Sequence, residues 1–162
     1  MIVSAVALLA FVLPSVSADT DFTLDWSSGE MSRDASSSKV TWTLAGDSMT
    51  MSSTSSGRLA GPEDRDTAKR FTVSAADLPR IAEALAAAEK AFPKPWPPPK
   101  LVEGRYTEVT LKHGKRTIHV SLRYDLDDTI HRPKEPAARQ EALEKLLALR
   151  DLMFQLLVAA PQ

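Results

Sequence analysis

Cysteine is absent from this chain of 162 residues, and asparagine is absent with it. The first absence excludes disulfide staples, thiol nucleophiles, thiolate zinc sites, iron–sulfur clusters and a lipid anchor on a leader cysteine. The second leaves no N-glycosylation acceptor. The six glycines lack phosphate-cradling spacing, and no GxSxG nucleophile elbow is present. Basic residues are also missing ahead of Asp19, where a secretory leader ordinarily carries them.

What stands there instead is the apolar run MIVSAVALLAFVLPSVSA. Its core from Ile2 to Leu13 is too short to span a bilayer, and Val16-Ser17-Ala18 supplies the small residues that signal peptidase needs. Residues 1–18 are therefore expected to be a signal peptide, and the missing positive charge suggests a truncated start. A retained membrane anchor and an apolar first element of the domain are the alternatives. Cleavage would leave residues 19–162 as one α+β domain with no membrane span, periplasmic or secreted, and the Ala, Arg and Pro usage suits a bacterium.

The formal net charge of −1 conceals an asymmetry. Residues 19–68 carry nine acidic and four basic side chains, and residues 69–162 carry twelve and sixteen, which is −5 against +4. Two halves of opposite sign facing each other in one fold account for this pattern.

Strict alternation marks strands at Phe22–Trp26, Val40–Leu44 and Met49–Ser53. Gly46-Asp47 reads as a two-residue turn that sets Leu44 opposite Met49 and Trp42 opposite Met51. Residues 52–68 are Ser-rich and then charged, with Gly57, Gly61 and Pro62 as breakers, and read as a mobile loop. After a strand at Lys69–Val73, Ser74-Ala-Ala-Asp77 resembles a capping box, and Leu78, Ile81, Leu85, Ala88 and Phe92 recur at helical spacing. Residues 93–100, with Pro95-Trp96-Pro97-Pro98-Pro99, form a stiff Pro-rich connector.

Arg105–Lys112 and Lys115–Leu122 read as a second hairpin, with a type I′ turn at His113-Gly114. Counting outward pairs Thr110 with Thr117, Val109 with Ile118 and Glu108 with His119. Thr107, Val109, Leu111, Ile118, Val120 and Leu122 then face the core, and Tyr106, Glu108, Thr110, Thr117, His119, Ser121 and Arg123 face solvent. Glu135-Pro136 opens a terminal helix with Leu143, Leu146, Leu147, Met153, Phe154 and Leu157 on its apolar side. Leu149, Leu152 and Leu156 widen that stripe, which implies deep burial or, alternatively, a dimer contact along a second flank. The sum is an antiparallel sheet of about five or six strands with two helices packed on one face.

Glu108 beside His119 is the sharpest chemical constellation, since a carboxylate next to an imidazole is raw material for a general base or a metal site. A solvated sheet face supplies neither a nucleophile nor an apolar pocket, so the pair reads as a surface contact contributing about a few tenths of a kcal/mol. Asp125-Leu-Asp-Asp128 with His131 fails the EF-hand template, having Ile130 at the sixth position and Pro136 at the twelfth. No catalytic, cofactor-binding or metal-ligating residue is assigned. The candidate interaction surface comprises Tyr106, Glu108, His119 and Arg123 with the basic tip Lys112, His113, Lys115 and Arg116. That tip lacks interleaved aromatics, which argues against nucleic acid.

From Arg70 to Leu157, a strand, an Ala- and Leu-rich helix ending at Phe92, a Pro-rich connector, a Tyr-containing hairpin with Gly at its tip and a Leu-rich terminal helix follow one another. This order resembles emfourin-type bacterial inhibitors of thermolysin-like metalloproteases. The resemblance covers about half of residues 19–162 and implies an α+β fold and an inhibitor-like role. The first three strands and the leader are additional, the family's Gly-rich N-terminal segment is missing, and no inhibitory residue is carried over. The expected function is an exported, non-catalytic binding module with a protein partner. The alternatives are an interaction protein dimerising through its terminal helix and an enzyme using Glu108 and His119.

Overall fold

Among the described residues the chain forms six strands, most of them marked by period-two alternation, and two helices built on helical recurrence. The computed structural model describes residues 20–30, 36–57, 66–92, 96, 104–130 and 132–161. The expected signal peptide and most of the Pro-rich connector lie outside the described residues. In chain order the elements are β1 (Phe22–Glu30), β2 (Ser37–Ala45), β3 (Ser48–Ser56), β4 (Asp66–Thr72), α1 (Leu78–Ala91), β5 (Arg105–His113), β6 (Arg116–Leu122) and α2 (Ala137–Ala159). The strands form one sheet in the order β4-β3-β2-β1-β5-β6, and every neighbouring pair is antiparallel. β1 is the seam. It joins the meander β1–β4 to the hairpin β5–β6 by pairing with both β2 and β5.

One face of the sheet is apolar and the helices cover it, so the fold is α+β. Phe22, Leu24 and Trp26 of β1, Trp42 and Leu44 of β2, Met49 and Met51 of β3, and Val109 and Leu111 of β5 share one buried cluster with Ile81 and Leu85 of α1 and Leu146 and Met153 of α2. Their partners at odd steps, such as Thr23, Asp25, Thr41 and Thr110, point to the other side, as the pleat requires.

The first hairpin matches its sequence reading: Leu44 faces Met49 and Trp42 faces Met51. Gly46 takes φ 63° and no non-glycine residue described has positive φ, the pattern of a type II′ turn with glycine first. The second hairpin departs from its reading. Gly114 takes φ 54° as the first central residue, so the turn is Gly114-Lys115 and closes on His113 and Arg116. A type I′ turn at His113-Gly114 would force His113 into positive φ, which its Cβ disfavours; moving the turn by one residue leaves the strain to glycine alone. Both faces of the hairpin survive the shift because each partner moves by two residues.

The stretch 52–68 is a loop only in part. β3 continues to Ser56, pairing Ser52–Ser56 with Ser37–Thr41, and β4 begins at Asp66 opposite Thr54. Small hydroxylated side chains that read as loop are carried by a neighbour on each side, and Ser53 Oγ lies 2.6 Å from Thr67 Oγ1 across the β3–β4 pair.

Asp77 caps α1 without a side-chain hydrogen bond of its own to the helix. Its N–H instead donates to Ser74 Oγ at 3.2 Å, and the Ser74 hydroxyl donates to its carboxylate at 2.6 Å, a turn one step ahead of the helix rather than a capping box. The Ser74 hydroxyl, and then the Arg80 guanidinium, hold the Asp77 carboxyl below its ordinary value. In α2 the wide apolar stripe resolves into burial: Ala142, Leu143, Leu146, Leu149, Met153 and Leu156 are all buried, with Leu149 fully so. Trp96, the described residue of the connector, stacks near Phe92 at 5.3 Å and beneath Arg139 at 4.5 Å.

Candidate functional site

The open face of the sheet carries part of the expected interaction surface. Tyr106, Glu108, Lys112 and His119 lie on it, with Lys115 at the hairpin tip and Arg123 half-buried just beyond β6. Glu108 and His119 do not face each other. Glu108 pairs with Ser121 and His119 with Thr110, whose hydroxyl is 3.0 Å from His119 Nδ1. They are therefore diagonal neighbours with backbones about 7 Å apart, and each is turned to its own cross-strand partner, Glu108 to the Ser121 hydroxyl and His119 to Thr110. His113 and Arg116 turn to the helix side, where His113 Nδ1 lies 2.9 Å from Glu89 Oε1 and Arg116 donates to the Glu89 carbonyl. Those two residues fasten the hairpin to the end of α1. Tyr106 lies across Gly29, where an added Cβ would sit 2.5 Å from the Ser36 carbonyl oxygen and 3.0 Å from the Tyr106 hydroxyl.

The other face holds a feature that the hairpin reading missed. Along the inward positions, the rows Phe22–Leu44–Met49 and Leu24–Trp42–Met51 are apolar. Two residues further, Trp26–Val40 is opposed by Ser53, and the next row is Ser28–Ser38–Ser55. Three strands change from large apolar residues to serine at the same end of the sheet. On β5 the matching position is Thr107, the only buried polar residue described, whose hydroxyl donates to the Tyr124 carbonyl and accepts from Leu126 N–H. The segment after β6 thus covers β5, and among the described residues nothing packs over the serines of β1, β2 and β3.

The result is an open groove of about 760 Å³ lined by serines including Ser28, Ser38, Ser53 and Ser55, with Thr67, Glu30, Arg105 and Asp125. Ser28 and Ser38 also line an adjoining recess of about 370 Å³ walled by Trp26, Val40, Asp127, Arg150 and Phe154. Ser28 Oγ lies 3.2 Å from Ser38 Oγ. Arg105 sits among three carboxylates, Glu30 at 3.4 Å, Asp128 at 3.7 Å and Asp125 at 3.9 Å. Arg150 lies 4.4 Å over the Trp26 ring and pairs with Asp127 at 2.8 Å. Both guanidinium charges are met, and the four carboxylates outnumber them, which leaves these described residues acidic on balance. Beside the recess the buried Trp26 indole N–H has no hydrogen-bond partner.

The segment 125–130 frames this groove: Asp125 and Asp128 each bend back to accept from the backbone N–H two residues on, and His131 lies outside the described residues. Behind it, Tyr124 donates to Glu135 at 2.9 Å. Burial, and then the Glu135 carboxylate, push its phenol above its ordinary value. The groove was written in the sequence as the in-register loss of apolar residues in the second halves of β1, β2 and β3, but only a known strand pairing reveals that the losses coincide. No protein-family profile matches the chain, and no curated protein matches it.

Proposed function

We propose that the protein is an exported, non-catalytic binding module whose ligand lies in the serine-floored groove. The observation that carries this reading is the coincident change from apolar residues to Ser28, Ser38 and Ser55 on three adjacent strands, at the end of the sheet that the helices leave open. A cluster of hydroxyls without a base beside it recognises and does not attack: the groove's serines lie beside one another and beside paired charges, with no histidine or lysine lining it among the described residues. Export follows from reading residues 1–18 as a signal peptide.

Amide NMR of the labelled chain against fractionated envelope and culture-medium extract tests the reading. Saturable shifts confined to Ser28, Ser38, Ser53 and Ser55, with the bound component recovered unchanged, are expected. Shifts confined to Glu108, Lys112 and His119 would transfer binding to the open face, and chemical conversion of the component would make the protein an enzyme. A thermolysin-like metalloprotease is the first protein partner to include, given the resemblance to emfourin-type inhibitors. Dimerisation through α2 is the weaker alternative: Leu149 is fully buried, and Phe154 and Val158 are its exposed large apolar residues. Two such residues fall well short of the roughly 800 Å² per partner that a stable interface covers.

A further inference from the structure

The geometry points to a neutral oligosaccharide as the ligand class of the groove, an inference that rests on the groove being the binding site. Four observations converge on it. First, the floor is built from hydroxyls, which donate and accept alike; Ser28 with Ser38 and Ser53 with Thr67 form cross-strand pairs at 3.2 and 2.6 Å. Each pair leaves unused lone pairs facing a ligand that is itself made of hydroxyls. Second, both guanidinium groups are paired, Arg105 among Glu30, Asp125 and Asp128 and Arg150 against Asp127, so these side chains offer hydrogen-bonding oxygens and nitrogens while the excess of carboxylates disfavours a phosphate or a polyanion.

Third, neighbouring strands lie about 4.8 Å apart. That is close to the length of one pyranose residue in an extended chain, so an oligosaccharide crossing β1, β2 and β3 would set one sugar over each strand. Fourth, the recess at the end of the serine floor supplies what a sugar ring needs on its C–H face. Phe154 is 37% exposed there, edge-on to Trp42 at 5.0 Å, with Val40 beside it. An extended peptide fits less well, because the floor is the face of paired strands rather than a free edge, and it offers no row of side-chain pockets.

The test is titration of the chain with cellohexaose, maltohexaose, xylohexaose and chitohexaose, followed by amide NMR and calorimetry, with oligogalacturonate as the charged control. At least one neutral hexaose is expected to saturate, shifting Ser28, Ser38 and Ser55. Ser38→Val and Phe154→Ala should each weaken that binding about tenfold, the loss expected for one hydrogen bond or one ring contact. Ser38 and Phe154 are exposed, so both variants should fold, and Thr67→Val, nearly isosteric, provides a third variant. If no neutral hexaose saturates, or if only the charged control or a peptide shifts the groove, the sugar assignment is overturned while the groove stands as a binding site. Saturation by a hexaose that shifts the open face instead overturns both readings.

Discussion

The inward face of this sheet is two surfaces carried by the same strands. At one end Leu24, Trp42 and Met51 sit under the helices, and Trp42 is fully buried. Four residues further along β1 and β2, Ser28 and Ser38 floor an open groove. Backbone pairing continues unchanged through both, so strand formation does not depend on what the side chains bury. What differs is the covering: α2 reaches Trp26 and Trp42 through Arg150 and Phe154, and beyond them no helix of the described residues follows. A protein that wanted only stability would continue the apolar rows or shorten the strands.

The largest test of that contrast is Trp42→Ala. Emptying a fully buried indole site should cost about 3–5 kcal/mol in chemical denaturation, whereas Ser38→Ala on the same strand should stay within about 0.5 kcal/mol. Equal losses would mean that the serine end is also structural core. Gly29→Ala comes next, because its Cβ would meet backbone at the Ser36 carbonyl oxygen. A loss of about 1–3 kcal/mol is expected, and a neutral result would show that the serine end yields freely.

Tyr124 probes the segment that covers Thr107 while leaving the serines bare. Its folded-state phenol titrates above the ordinary value, so the stability it contributes is complete below pH about 10 and is lost as the pH rises through the raised folded value. Tyr124→Phe should cost about 1 kcal/mol at neutral pH, and Glu135→Gln should move the Tyr124 step to lower pH in an alkaline absorbance titration. If Glu135→Gln leaves that step where it is, the Glu135 contact does not contribute to raising the phenol. The smallest effect is expected on the opposite face. Glu108→Ala and His119→Ala should each change stability by no more than about 0.5 kcal/mol, and a coupling well above that between them would restore the pairing the register denies.

The two hairpins show how far residue patterns reach. Gly46-Asp47 and Gly114-Lys115 have the same geometry, glycine first with positive φ. Alternation assigned both faces of each hairpin, since a two-residue slip of the partner preserves parity. It could not assign the cross-strand partners of Glu108 and His119, because Lys112, His113, Gly114 and Lys115 allow the turn to centre on either side of Gly114. The same limit applied to α2, whose Leu149 and Leu152 lie on one periodic stripe; the first is fully buried and the second half-buried, a distinction set by what packs against each. For Ser52–Ser56, composition pointed to a loop, and pairing on both flanks made a strand.

By itself the sequence determined the α+β class, the first hairpin and its register, the extent of α1 and which side of each strand is buried. These follow from short-range periodicity and glycine stereochemistry, which act within a few residues. Only the tertiary structure decided the β1–β5 seam, the partners of Glu108 and His119, the burial of Leu149 and the existence of the serine groove. Each of those joins residues far apart in the chain, and the meeting point depends on the whole sheet being assembled and on where α2 stops covering it.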